Sequence, residues 1–469
     1  MKTNEEVKIK KKREFPHVFV ILMTVTLICA VLTYIIPAGA YDETIINDTE
    51  TVVPDSYHPV DQTPVTFMSL MSAIPLGLES SASIIFFIFI IAGSFNVVQE
   101  TGAIEAGLCR LTNLKGRYSK WLIPIIMFAF SMAGSCIGMC EETLIFIPIM
   151  ITLAMALGYD SMTGLAMVIV GAMAGFTAAF MNPFNVGVAQ GIAGLPMFSG
   201  MGLRVFLFSI TTVTSILFVL RYARKVKNNP KISMMYEFDK TRTDFIDLSI
   251  IKPLTVRHKI VLMLTVLTVI LIVFGVIKYK WYLTELSAVF LTLGILSGML
   301  GGMGLNGYAR SLARGMTSVT EGALIVGFAK AILVVLEEGN IIGTILYGAS
   351  SFLSGLPALV TAEGMYVFQS LLSIFIPSGS GQAAVTIPIM APLADLVGVS
   401  RQTMVLGFQM ADGLFEMVSP TSGWFMAALT LAKVPWIKWI KWVFPLIIGW
   451  FILGGIFVAY AQISGYGPF

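Results

Sequence analysis

Apolar runs long enough to cross a bilayer recur along the whole of this 469-residue chain, and that recurrence limits the fold more than any single residue does. Lipid offers no hydrogen bonds, so backbone at membrane depth must be helical or close into a barrel, and runs of ~20 residues suit helices. Such runs lie at 18–36, 83–99, 163–190, 203–221, 259–277, 283–303, 320–336, 402–430 and 442–462. Two further stretches, 121–158 and 356–398, are about twice as long as one span and carry Gly, Ser and Pro near the middle. Each reads as a hairpin that enters and leaves the membrane on one side. With 56% hydrophobic residues, 12% charged residues and a mean hydropathy of +0.84, a water-soluble fold would leave apolar surface uncovered. The fold class is therefore an all-α polytopic membrane protein, one transporter-sized domain over 1–469 with nine crossings.

Several function classes drop out. The net charge of +3 is small and Lys and Arg gather in loops, which argues against a nucleic-acid partner. Cys29, Cys109, Cys136 and Cys140 lie in or beside apolar segments, so no disulfide framework is indicated. His17, His58 and His258 sit at segment ends or in loops, leaving none inside an apolar run for haem or a zinc protease site. A membrane-embedded enzyme is disfavoured on that ground. No GxxxxGK followed by Ser or Thr occurs, which argues against ATP hydrolysis. No cofactor is expected beyond a coupling ion, H+ or Na+.

Loop charge sets the expected topology. The first apolar run follows the basic stretch 8–13 and reads as a retained span, although Pro37-Ala38-Gly39-Ala40 comes close to a cleavage site. Residues 37–64 carry Asp42, Glu43, Asp48, Glu50, Asp55 and Asp61 and no Lys or Arg, whereas 221–259 holds ten basic residues against four acidic ones. The positive-inside rule puts the former outside and the latter, with the N-terminus, in the cytoplasm of a bacterial inner membrane. Lys115, Arg117 and Lys120 then place the first hairpin's base inside, alternation places the second's outside, and Lys433, Lys438 and Lys441 fall inside. The tail 465–469 ends outside, and Lys278 and Lys280 sit in an outer turn.

The chain also repeats. Ile147-Pro148-Ile149-Met150 recurs as Ile387-Pro388-Ile389-Met390, and the same spacing pairs Leu153 with Leu393, Gly158 with Gly398 and Thr163 with Thr403. A second block, 97–102, matches 334–339 in the same order. Short apolar words recur by chance, but two blocks at nearly equal offsets, each followed by a Pro-interrupted apolar helix, point to a true repeat. An odd number of crossings separates the copies, so the repeat is inverted. Its parts are 1–222, a cytoplasmic basic loop 223–258, and 259–469.

After each hairpin comes a helix broken by a polar, Pro-bearing stretch: Asn182-Pro183-Phe184-Asn185 in the first repeat, Ser419-Pro420-Thr421-Ser422-Gly423 in the second. Pro removes an amide, freeing carbonyls and amides that a polar cavity can satisfy and lipid cannot. The half-helix after each break offers amides and positive dipole to an anionic group. A lone kink with Ser or Thr bonding back to its own helix would be mundane; two in corresponding places suggest a binding site. Its candidate substrate-binding residues are Asn182, Asn185, Ser419, Thr421 and Ser422 at the breaks, with a coupling-ion position near Asn182 and Ser422. The hairpin tips add Gly138, Glu142, Ser378 and Ser380, and Asp412 joins them from just before the second break. Carboxylates at membrane depth are costly, ~2.5–3.5 kcal/mol on insertion scales, and mark ion or substrate paths. Glu141, Glu142, Asp412 and Glu416 are therefore candidates, unless they lie near an interface or pair with Lys330 or Arg401.

At GMCEET (138–143), MNPF (181–184), VAQGIAGLP (188–196), SGSGQAA (378–384), APLADLVGV (391–399) and SPTSG (419–423), the chain resembles the YfcC family. That family is designated for basic amino acid antiport within the dicarboxylate anaerobic carrier group of the ion transporter superfamily; it usually has Gly where this chain has Cys140. The resemblance runs from the first span to the last. It implies an elevator-like fold in which tips and broken helices form a transport domain around one small-molecule substrate, with a lipid-embedded scaffold that forms a homodimer. Labels within the group divide between arginine or ornithine and dicarboxylates. Tips and breaks holding only acids, amides and hydroxyls favour a cationic amino acid, exchanged or ion-coupled. Related dicarboxylate carriers manage with Asn, Ser, Thr and sodium, so succinate- or malate-type transport stays as the alternative. A channel suits two hairpins closing on one midplane site less well.

Overall fold

The computed structural model describes residues 17–46, 49–53, 56–104, 106–107, 119–241, 254–279, 281 and 283–467. The basic run 8–13, Asp48, Asp55, Cys109, Lys115, Arg117, Lys280, residues 242–253 of the basic loop and 468–469 lie outside these. Among the described residues six helices are long and apolar enough to cross a membrane: α1 (Val18–Ile35), α3 (Ala82–Glu100), α8 (Met201–Asn228), α11 (Leu283–Leu300), α16 (Gly379–Val397) and α19 (Trp436–Ile463). Taken together as one broken span, α12 (Gly304–Ser318) and α13 (Thr320–Glu338), bent by 42° between Gly304–Ser318 and Ala323–Glu338, make a seventh. Five expected spans fall on these helices, 320–336 falls on α13, and 259–277 lies within α10 (Val256–Tyr279). The stretches 163–190 and 402–430 are broken helices, as expected from their polar, Pro-bearing segments. The first is α6 (Ser161–Thr177), a π-helical turn (Pro183–Gly187) and the short α7 (Val188–Ile192); the second is α17 (Arg401–Glu416) and α18 (Gly423–Leu431).

The two hairpins differ in depth. The first is α4 (Ser119–Ile137), a 3-10 turn (Glu141–Phe146) and the ten-residue α5 (Ile147–Ala156), whereas the second is α15 (Ala358–Leu372) and the 19-residue α16. At 1.5 Å per residue α16 is about 28 Å long, the thickness of a bilayer core. Its outgoing arm is thus as long as a full span.

Every residue of α6 is buried, as are nearly all of α17, so these two helices are the centre of the fold. Around α6 pack α4, α5 and α8, and around α17 pack α15, α16 and α19; α4 also touches α8 as α15 touches α19. The halves cross over, since α7 packs on α16 and α18 on α5. Small residues let the backbones close: a Cβ at Gly175 of α6 would lie 1.7 Å from the Ser131 carbonyl of α4, and one at Gly413 of α17 2.6 Å from Thr177 Cα. The other helices form a second group, in which α2 (Phe67–Ser80) and α1 pack on α13, and α11 and α12 pack on α3. There Arg314 grips Glu100 bidentately at 2.7 and 2.9 Å.

Large apolar side chains left uncovered by protein form stripes at helical spacing, such as Val20, Met23 and Leu27 on α1 and Ile448, Ile452 and Ile456 on α19. Stripes of this kind face acyl chains in a membrane protein. The short α9 (Tyr236–Lys240) and the turn before it fold back against the membrane helices. Asp160, capping α6, accepts from Tyr222 Oη at 2.5 Å and Ser233 Oγ at 2.6 Å.

Candidate functional site

Both breaks begin where a central helix ends, and each is held by its own hairpin. In the first, Phe180 N donates to Ser135 Oγ and Met181 N to the Ser135 carbonyl, both at 3.2 Å. In the second, Ser419 Oγ and Thr421 Oγ1 both donate to the Ile374 carbonyl, the former at 3.3 Å. The carbonyls freed at the first break find Gln409 of α17, whose Nε2 donates to Ala179 O at 2.6 Å and Thr177 O at 3.3 Å. Gln409 is fixed in turn by Arg204, whose Nε donates to its Oε1 at 2.9 Å. Arg204 is fully buried, and its other hydrogen-bond partners among the described residues are neutral: Ser199 O at 2.6 Å, Gln402 Oε1 at 3.1 Å and Tyr466 Oη at 3.3 Å.

A cavity of about 410 Å³ opens where tips and breaks meet. The first tip contributes Gly138, Cys140, Glu141 and Glu142, the second Ser378, Gly379 and Ser380, and the breaks Phe176, Phe184, Thr421 and Gly423. Glu416 and Trp424 complete that side, and α13 adds Lys330 opposite, beside Ser80 and Ser81 at the junction of α2 and α3. Gly138 takes a φ of 69° with its Cβ position 2.4 Å from Asn182 Oδ1, so any side chain there would be strained and would strike the break.

Of the residues singled out from sequence, Gly138, Glu142, Ser378, Ser380 and Thr421 line this cavity. Asn182, Asn185, Asp412, Ser419 and Ser422 are buried just behind the lining. Asn182 Oδ1 accepts from Phe184 N at 2.8 Å, while its Nδ2 has no partner. Asn185 reaches from the first break to α17, Nδ2 donating to Asp412 Oδ2 at 3.5 Å, and also donates to Phe176 O at 3.4 Å. Ser419 and Thr421 hydroxyls lie 2.6 Å apart, and Ser422 Oγ has no partner. Arg401 pairs with Asp395 at 2.6 Å rather than with a site carboxylate. Lys330 makes no ion pair among the described residues.

Of the lining residues, Trp424 carries no sequence signal of its own, and Lys330 reads from the sequence only as a possible partner for the carboxylates. Trp424 donates its indole N–H to Glu416 Oε2 at 2.9 Å, which orients the carboxylate. Lys330 looks like one more charge on an apolar helix until α13 is packed against α18. The lining thus sets three carboxylates, Glu141, Glu142 and Glu416, against one ammonium. Low-dielectric walls focus that negative field into the opening. Chemically the arrangement can hold a small charged solute, cationic end toward the glutamates and anionic end toward Lys330. No three His, Cys, Asp or Glu side chains among the described residues gather as metal ligands.

A second cavity, about 550 Å³, continues along the same α13–α18 seam and is lined by Glu321, Ile325, Met426, Lys433 and Trp436 among others. The two part where α18 begins against α13, a Cβ at Gly423 lying 2.5 Å from Val326 Cγ1.

The chain is similar to known proteins along nearly its whole length. A family model described as C4-dicarboxylate anaerobic carrier matches residues 15–463. The chain is 34% identical to an Escherichia coli (strain K12) protein named "Putative basic amino acid antiporter YfcC", over 98% of this chain and 99% of that one. It is 27% identical to an uncharacterized protein of Haemophilus influenzae over the same shares. Among solved structures the Alcanivorax borkumensis YdaH transporter is similar at a TM-score of 0.43 and 14% identity, covering 97% of this chain and 100% of that one.

Proposed function

The chain belongs to the C4-dicarboxylate anaerobic carrier family of multi-pass membrane transporters, and from that premise we propose that it exchanges cationic amino acids of the arginine and ornithine type across the bacterial cytoplasmic membrane. The observation that carries this reading is the cavity lining, three glutamates against one lysine, built jointly by both hairpin tips and both breaks. A guanidinium or ammonium end meets Glu416 and Glu142; the α-carboxylate meets Lys330 and the half-helix amides. The matched packing of α4, α5 and α8 on α6 and of α15, α16 and α19 on α17 supports the inverted repeat. The grouping of α1, α2, α3, α11, α12 and α13 supports a scaffold beside a moving body, working as a homodimer.

Lys330 favours a second reading, a dicarboxylate carried with one carboxylate on that ammonium. Counterflow in proteoliposomes loaded with arginine, ornithine, succinate or malate separates the two. Uptake of labelled arginine or ornithine, with none of succinate or malate, is expected. Succinate or malate uptake alone refutes the cationic reading, and loss of it in Lys330→Met establishes the rival.

A further inference from the structure

We propose that Asp412 is the proton-coupling group of this carrier, binding and releasing a proton beneath the tip of the second hairpin rather than holding substrate. Asp412 is wholly buried and does not line the cavity. Its Oδ1 has no partner, and its Oδ2 meets only the Asn185 amide at 3.5 Å, the outer limit of a hydrogen bond. An ionised carboxylate so placed lacks the partners that offset its desolvation, a deficit of several kcal/mol. A proton removes that deficit.

Both ends of the tip rest on this residue. Ser373 Oγ donates to the Asp412 carbonyl at 3.3 Å, and a Cβ at Gly379 would lie 2.7 Å from Asp412 Oδ2. Gly379 also lines the cavity, so a seated solute bears on the same backbone that covers the carboxyl. Protonated, Asp412 lets the tip close; ionised, it needs water at Oδ1 and Oδ2, and the tip lifts. The surroundings suit a proton better than sodium, because sodium needs several oxygen ligands while the side-chain group that meets Asp412 Oδ2 is an amide N–H donor and Oδ1 meets none.

The charged groups around Asp412 leave it this role. Glu416, one turn along α17, engages Trp424 and faces Cys140 Sγ at 4.0 Å, with Glu141 and Glu142 beyond on the first tip. Arg204 on α8 is bound to Gln409, three residues before Asp412, and to neutral acceptors. Glu363 on α15 lies against Gly455 of α19. The first break offers Asn185 alone, and no Lys, Arg or His among the described residues forms an ion pair with Asp412.

Infrared spectra of the reconstituted protein between pH 5 and 9, without solute, test the proton directly. The wild type should show a protonated-carboxyl band that disappears as pH rises, absent in Asp412→Asn and retained in Glu416→Gln. The same band in Asp412→Asn overturns the proposal. The transport arm uses whichever of arginine, ornithine, succinate or malate the wild type carries, so a wrong substrate does not decide it. On one limb the wild-type rate should change about tenfold per pH unit, and the Asp412→Asn profile should be flat, with Asp412→Glu restoring a dependence at a displaced midpoint. An unchanged profile in Asp412→Asn, or a wild-type rate that follows sodium and ignores pH, overturns it as well.

Discussion

Adding a single methyl at Gly379 tests how tightly the second tip is seated. Its Cβ would stand 2.7 Å from Asp412 Oδ2, where ordinary contact begins at 3.4 Å, a shortfall of about 0.7 Å. Asp412 has little room to yield, because it is wholly buried with the Asn185 side chain against it, and Asn185 Cβ itself lies 3.2 Å from the new methyl. The tip backbone must therefore lift. Overpacking of this size costs about 1–3 kcal/mol. At 1.4 kcal/mol per factor of ten, the closed-tip population falls roughly 5- to 140-fold. Counterflow by Gly379→Ala in proteoliposomes should drop within that range while membrane insertion is retained. Gly348→Ala is the control: nothing lies within 4 Å of its Cβ position, and a helical Gly→Ala change stabilises by roughly 0.5–1 kcal/mol. Because the clash is with one carboxyl oxygen, Gly379→Ala should destabilise the protein less in an Asp412→Ala background, a non-additivity readable in thermal unfolding. Wild-type counterflow and melting in Gly379→Ala, or strict additivity in the double variant, refutes the proposed seating.

Three other outcomes follow from the same geometry. Asn185→Ala removes the hydrogen bond from the first break to Asp412 and should reduce transport with insertion intact; a wild-type rate would exclude Asn185 from the mechanism. Glu416→Gln, which keeps the shape but loses the charge facing the cavity, should weaken arginine or ornithine counterflow by tenfold or more, mainly in KM, and equal loss for every solute would point to structural damage. Gly175→Ala places a methyl 1.7 Å from the Ser131 carbonyl, which forces α4 from α6. Purified yield and melting temperature should both fall sharply, and a normal melting curve would contradict the close approach of those helices.

The elements are readable in the sequence because lipid enforces them. A run of about twenty apolar residues must be helical, and Pro183 and Pro420 with their polar neighbours mark where α6 and α17 stop. The division of labour at the site is not readable, because it depends on how separate helices meet. Asp412 and Glu416 share a helix face by spacing, yet Glu416 opens onto the cavity with Trp424 while Asp412 is roofed by Gly379. Likewise Asn182 and Thr421 are equivalent as polar break residues, and only the curl of the π-helical turn puts Asn182 behind Gly138. Arg204 looks from sequence like a basic residue at a helix start; its burial depends on Gln402 and Gln409 arriving from α17. Pro388 and Pro392 lie within α16 without ending it.

The contact between Val326 and Gly423 lies between two cavities of about 410 and 550 Å³ along the α13–α18 seam. A cell stores free energy as ion gradients, and any carrier that lets ions slip past without cargo dissipates that store continuously. Tightness at this seam rests on an aliphatic side chain pressed into the space left by a missing one, so the residue pair sets the leak of the carrier independently of what it recognises. In the exchanger proposed above, trimming Val326 should join the two cavities and let ions pass without cargo, a leak readable in proteoliposomes.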